Sequence, residues 1–307
     1  MPSYKQSNDN ARSHYTQKEV VAMKKPVYCF IDDSPFELKL FMDVIATRCP
    51  GIHFIYAGNY TECDNQLNKQ KRYPSLFILD LYGREGLQED VSIPQKELLE
   101  ARIDNIPNLN VAYDDLDKYN CDRNLQANEF LKRLFSILNE WRNLFSEQCA
   151  SLDQGSRFGI NNLLRVRQNY PSVTSVMYTR KGLFKDAVIL SRHKCDGIFI
   201  KPPGTTDEDI YAETGKQAES LMDNWNECVR NSYCLFLQNL NTHEKTPHKL
   251  AEVLSRDKHQ VAADEKEKQR IKTLLYSLQT SLSPTTDIST PKINALIQWV
   301  IFYYNLS

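Results

Sequence analysis

Four short segments, each closed by a polar residue at its carboxyl end, constrain this chain more than any other feature. They are Val27-Tyr28-Cys29-Phe30-Ile31-Asp32-Asp33, Leu76-Phe77-Ile78-Leu79-Asp80, Val173-Thr174-Ser175-Val176-Met177-Tyr178-Thr179 and Gly197-Ile198-Phe199-Ile200-Lys201. Three are unbroken apolar runs, and the segment ending at Thr179 is apolar only in its latter half. Such runs are expected of parallel strands covered by helices on both faces, where no side is left to water and no alternation is imposed. In an open parallel sheet, ligands bind beyond the carboxyl ends of the strands. Asp32, Asp33, Asp80, Thr179 and Lys201 are therefore expected to meet at one edge.

The intervals between these segments supply the rest of an α/β rhythm. Ser34-Pro35 is a helix start, with Ser34 as N-cap and Pro35 in the first turn, followed by an apolar stripe of Phe36, Leu40, Phe41, Val44 and Ile45. His53 to Ala57 reads as a short second strand and residues 60–71 as a polar helix. A helix around 183–193 precedes the fifth strand, and residues 205–240 are helical in pattern, with Asp207, Glu208 and Asp209 near the start. Between Asp80 and Gly159 the rhythm is interrupted by an insertion, about 84–157. Its helical part repeats Leu131, Leu134, Leu138, Trp141 and Phe145, with Phe130, Phe135, Ile137 and Leu144 widening the stripe beyond one packing face.

The chain divides into a polar, aperiodic arm (1–25), expected to be disordered, a core region (26–240) carrying the insertion, and a helical extension (241–307). The extension reads as a polar linker to Lys249, one charged helix over about 250–283 and a terminal apolar segment over 290–304. A length of 307 residues accommodates one sizeable α/β domain and more. The formal net charge of −1 gives no electrostatic reason to expect nucleic acid. Eight cysteines without a C-x-x-C pair read as reduced thiols. His243, His248 and His259 fall at no ligand spacing. The apolar tract from Leu296 to Tyr304 is too short to span a bilayer. A soluble, cytoplasmic protein with no membrane partner is expected.

The order strand-Asp-Asp, strand-Asp, strand-Thr, strand-Lys-Pro resembles the receiver domain of two-component response regulators. Asp33 and Asp80 stand 47 positions apart, room for two helices and two strands, and Thr179 and Lys201 stand 22 apart, room for one of each. The resemblance covers roughly 26–83 and 158–220. It implies a five-stranded parallel sheet in the flavodoxin-like order 2-1-3-4-5, with the helical insertion and C-terminal helices added. It also implies roles: Asp80 as phosphoacceptor; Asp33 and Asp80, with Asp32 acting mainly through water and the backbone carbonyl of Tyr82, as Mg2+ ligands; Thr179 and Lys201 as partners of the phosphoryl group. A histidine kinase or phosphotransfer protein would be the donor. The insertion and the C-terminal helices would report the state through protein–protein contacts, to a protein effector or by self-association through the insertion. The resemblance implies no enzymatic turnover.

The residues make chemical sense beside the family. Clustered carboxylates do not all stay ionised unless a divalent cation or Lys201 offsets them, and Mg2+ prefers oxygen ligands while keeping several waters. Phosphoryl transfer asks the protein chiefly for positioning and charge neutralisation. The chain also departs from the family. Arg180 follows the hydroxyl position, where a small residue is usual, and can pair either with a phosphoryl group or with Asp80. Ile198 stands where an aromatic is usual, leaving Phe199 or Tyr178 as the movable ring. The insertion carries about seventy residues beyond an ordinary connection, and the usual proline after the acceptor is missing from Leu81-Tyr82-Gly83-Arg84-Glu85. Two alternatives stand beside a phosphorylatable receiver: a phosphorylation-independent scaffold, and a phosphoaspartyl hydrolase. The hydrolase needs D-x-D-x-T after the first strand, which Ile31-Asp32-Asp33-Ser34-Pro35 does not supply.

Overall fold

A computed structural model of the protein describes residues 25–84, 95–240, 245–256, 258–281 and 290–306. The expected disordered arm lies, but for its last residue, outside the described residues, as do His243 and the start of the linker.

Five parallel strands form the sheet: β1 (Val27–Ile31), β2 (His53–Ala57), β3 (Leu76–Leu79), β4 (Thr174–Thr179) and β5 (Gly197–Ile200). Their order is β2-β1-β3-β4-β5, so the sheet is of the flavodoxin-like receiver type. Tyr28 pairs with Phe54 and Leu76, Ile31 with Ala57 and Leu79, and Leu79 with Met177. Every residue of β1, β3 and β4 is buried. The edge strand β5 differs, because Ile198 and Ile200 are exposed on its outer face. Its apolar run reads like a covered strand, yet these two side chains are left open to solvent; helix α6 (Phe184–Arg192) precedes it.

Helices α1 (Pro35–Leu40) and α7 (Asp207–Gln238) cover one face of the sheet; α2 (Tyr60–Gln70) and α5 (Arg157–Asn169) cover the other. Alternation along β1 sends Tyr28 and Phe30 to the first core and Val27, Cys29 and Ile31 to the second. After Leu40 the first helix widens into a π turn (Phe41–Ile45), where Phe41 is sandwiched between Phe30 and Trp225, with centroids 4.2 and 5.8 Å away. Gly159 sits where α5 crosses the end of β3. A β-carbon there would fall 2.5 Å from the Asp80 carbonyl oxygen and from the Leu81 α-carbon, so no larger residue fits.

The insertion leaves and rejoins the sheet edge through a narrow neck, an antiparallel bridge between Gly83 and Gly155. Its described part contains α3 (Lys96–Asp104), two 3-10 turns (Leu109–Tyr113 and Leu116–Tyr119) and the long α4 (Arg123–Ser151). The expected wide stripe of α4 divides in two. Ile137, Leu144 and Cys149 are buried, Tyr113 packs on Phe130 with centroids 4.8 Å apart, and Leu131, Phe135, Leu138 and Trp141 face outward.

The C-terminal helices are α8 (Thr246–Leu254), α9 (Lys258–Ala263), α10 (Glu265–Ser281) and α11 (Thr290–Tyr303). The charged stretch expected as one helix is thus three. Ser255 turns its hydroxyl back onto the Glu252 carbonyl at 2.7 Å, ending α8, and Asp264 accepts the Lys266 amide at 2.8 Å, starting α10. These helices share the first core with the sheet: α8 packs on α7, and Trp299 of α11 donates to the Tyr28 hydroxyl of β1 at 2.9 Å. No described helix is long and apolar enough to cross a membrane.

Candidate functional site

Strand register assembles the site. Ile31 pairs with Leu79, and the Asp80 amide donates to the Ile31 carbonyl at 2.9 Å, so Asp32 and Asp80 emerge side by side. On the far side of β3, Thr179 ends β4, and the Lys201 amide donates to its carbonyl at 3.0 Å. All five residues expected at this edge are there, and all but Asp33 are buried.

Lys201 is the hub. Its Nζ lies 2.6 Å from Asp32 Oδ2, 3.1 Å from Asp80 Oδ1 and 3.4 Å from Glu37 Oε2. Burial opposes the ammonium charge, but the carboxylates of Asp32, Asp80 and Glu37 together outweigh it and hold the Lys201 pKa above its ordinary value. Beneath it lie aromatic rings, with Phe30 at 6.0 Å and Tyr178 at 5.8 Å from Nζ. Burial pushes the Asp80 carboxyl up to about 6. Lys201 acts in the opposite direction, but Asp32 and Asp33 add repulsion. One ammonium shared among three carboxylates does not keep Asp80 in its usual range.

Asp33 is held differently. Its Oδ2 accepts the Arg84 amide at 3.0 Å, at the neck of the insertion. Burial raises its pKa, partly offset by that amide. Gly83 makes the approach possible: a β-carbon would sit 2.5 Å from Asp33 Oδ1 and 2.6 Å from the Phe158 ring. Asp32 braces the loop by accepting the Ser34 amide at 2.9 Å. Tyr82 is buried, with its hydroxyl donating to Asp186 at 2.7 Å. Thr179 Oγ1 accepts the Lys181 amide at 3.4 Å, and Lys181 Nζ reaches Gln154 at the insertion's other end.

Carboxylate oxygens of Asp32, Asp33 and Asp80 lie within 4.8 Å of one another. The donor set is all oxygen and acidic, which fits a hard divalent cation such as Mg2+. Counting Glu37, four carboxylates face Lys201 and Arg180, with Lys181 also acting on Asp33, so carboxylates outnumber cations and a divalent ion offsets the excess.

Two arrangements were not read from the sequence. Asp32, expected to act through water, is the shortest ion-pair partner of Lys201. Glu37 was missed altogether. Ser34 Oγ accepts its amide at 3.4 Å, fixing it in the first turn of α1, where its carboxylate points into the cleft. Its signal was faint: an acid one helical turn after Asp33. Arg180 does not bridge to Asp80. Its Nη1 donates to Glu37 Oε1 at 2.8 Å and its Nε to the Pro202 carbonyl at 3.2 Å. Phe199 and Tyr178 both pack edge-on against Trp225, at 6.2 and 5.3 Å.

No protein-family model matches the chain, and no curated protein matches it. Among solved structures it is similar to a CheY-like response regulator receiver domain from Methanospirillum hungatei JF-1, at 9% identity and TM-score 0.30, over 66% of this chain and 99% of that one. It is also similar to the signal receiver domain of a putative Luxo repressor protein from Vibrio parahaemolyticus, at 12% identity and TM-score 0.36, over 70% and 98%. A third is a response regulator from Thermotoga maritima, at 11% identity and TM-score 0.33, over 67% and 98%. The sheet order, the strand register and the residues at the strand ends define the architecture here, and it is receiver-like.

Proposed function

We propose that the protein is a response-regulator-like signalling protein that accepts a phosphoryl group on Asp80. One observation carries the reading: Asp32, Asp33 and Asp80 converge within 4.8 Å, and Lys201 contacts both Asp80 and Asp32. In the transfer, a carboxylate oxygen of Asp80 forms a bond to phosphorus while the bond from phosphorus to the donor's nitrogen or oxygen breaks. The donor atom leaves with the electron pair. A phosphohistidine of a kinase or phosphotransfer protein, or a small acyl phosphate, fits this chemistry.

Each residue has a part in that displacement. Asp33 and Asp80, with Asp32 beside them and the backbone carbonyl of Tyr82, would hold Mg2+. The ion, when bound, neutralises charge on the transferring oxygens. Lys201 is already charged and needs no proton transfer to meet a phosphoryl oxygen. Thr179 supplies a hydroxyl at the neighbouring strand end. Asp80 must be ionised to attack, so acceptance requires release of its proton, which is held up to about pH 6 without metal.

One structure hangs from this edge and suits the relay of its state. The insertion touches Asp33 through the Arg84 amide, and its α4 presents Leu131, Phe135, Leu138 and Trp141 outward, a surface for a protein effector or a second copy. Incubation with acetyl phosphate and Mg2+, followed by intact mass, tests the reading. A single phosphoryl adduct that does not form when EDTA replaces Mg2+ is expected; an unchanged mass and unchanged tryptophan fluorescence would move the protein to the scaffold class.

A further inference from the structure

We propose that Arg180 is a phosphoryl-binding residue that Glu37 holds in reserve. The inference rests on Asp80 being the acceptor and concerns what happens to the surrounding charges once it is loaded.

Arg180 is incompletely used where it stands. A guanidinium offers five N–H donors in a planar fork. Here Nη1 meets Glu37 and Nε meets the Pro202 carbonyl, while Nη2 is buried with no hydrogen-bond partner. A buried donor without an acceptor is costly to keep, and a tetrahedral anion with several oxygens is the ligand a half-free guanidinium fits.

The acceptor is close by. Arg180 follows Thr179 at the end of β4, the strand paired to β3, and Asp80 directly follows β3. Paired strands lie about 4.8 Å apart, well inside the span of an extended arginine. Glu37 is arranged so that the exchange strands no carboxylate. Its two oxygens serve two cations, Oε1 on Arg180 and Oε2 on Lys201, so Lys201 remains when Arg180 leaves.

Charge bookkeeping favours the move. Metal-free, the cleft carries more carboxylates than cations, an excess that a divalent ion offsets. A phosphoryl group on Asp80 adds further negative charge, close to −2 on the group itself. Lys201 is already shared among Asp32, Asp80 and Glu37. Arg180 is a cation at this edge whose present partner has another to fall back on.

The experiment is calorimetric titration of beryllofluoride with Mg2+ into the full chain and its Arg180→Ala, Arg180→Lys, Glu37→Gln and double Glu37→Gln/Arg180→Ala variants. Beryllofluoride stands in for a phosphoryl group on the carboxylate. Arg180→Ala is expected to bind about tenfold or more weakly, the loss of a charged hydrogen bond, with Arg180→Lys in between. Glu37→Gln is expected to bind several times more tightly, and that gain should disappear in the double variant. Wild-type affinity in Arg180→Ala, or a Glu37→Gln gain that survives loss of Arg180, overturns the proposal. So does an equal loss of affinity for Mg2+ titrated alone, which indicates a structural role. If wild type takes up Mg2+ but no beryllofluoride, the acceptor reading falls first and this inference with it.

Discussion

At the scale of single residues, the site is a balance of charges that does not close without a cation. The Asp80 carboxyl, pushed up to about 6 from 3.8, makes the imbalance measurable. Between roughly pH 4 and 6, folded Asp80 keeps a proton that the unfolded chain has released, so stability falls as pH rises through that window. Asp80→Asn removes this cost. In EDTA it should stabilise the protein above pH 6 by about 1–3 kcal/mol, a gain that shrinks to nothing below pH 4. Urea unfolding of both proteins across that range checks it, and a variant less stable than wild type at pH 7 contradicts it. The close contact at Gly159 gives a second test. Gly159→Ala should cost about 1–3 kcal/mol by overpacking and displace the Asp80 backbone, weakening Mg2+ binding as well. Unchanged melting and unchanged metal affinity would refute the contact.

At the scale of elements, the insertion is the part least like a receiver, and it hangs from two glycines. The Gly83–Gly155 bridge brings its ends together, so excising 85–153 and joining them by a short turn should leave the sheet and its metal site intact. Circular dichroism and Mg2+ titration of the excised chain check this; an unfolded product contradicts it. Within α4 the two apolar faces should answer differently. Ile137→Ala should loosen the helix and raise hydrogen exchange along it, at a cost of about 2–4 kcal/mol. Phe135→Ser should change stability by no more than about 0.5 kcal/mol.

The strand ends were legible in the sequence because apolar runs bounded by polar residues report burial on both faces. The order of the sheet followed from the resemblance to receiver domains that those residues carry, not from the runs themselves. Less was legible where burial is partial or contacts are distant. The β5 run did not reveal that Ile198 and Ile200 face outward, since composition does not show which helix covers an edge strand. The α4 stripe was visible, but not its division between buried Ile137 and exposed Phe135. Glu37 was lost because its role depends on Lys201, far along the chain, and the breaks at Ser255 and Asp264 because side-chain caps compete with a charged helical pattern.

At the scale of the whole molecule, the C-terminal helices complete the core of the sheet. Trp299 is fully buried, bonds to Tyr28 of β1 and stacks on Tyr303 at 4.5 Å. Trp299→Ala should cost about 3–5 kcal/mol, and unfolding should remain one transition that takes the sheet and the C-terminal helices together. Separate transitions would show that the helices are an independent unit. A sheet whose first core is completed in this way leaves the edge where Asp80 stands for the proposed phosphoryl chemistry. The most direct measurement is to trap that state: treat the chain with acetyl phosphate and Mg2+, reduce the acyl phosphate with borohydride, and map the reduced residue by peptide mass. Conversion at Asp80 alone is the predicted result. No conversion, or conversion at Asp32 or Asp33 instead, would contradict the account.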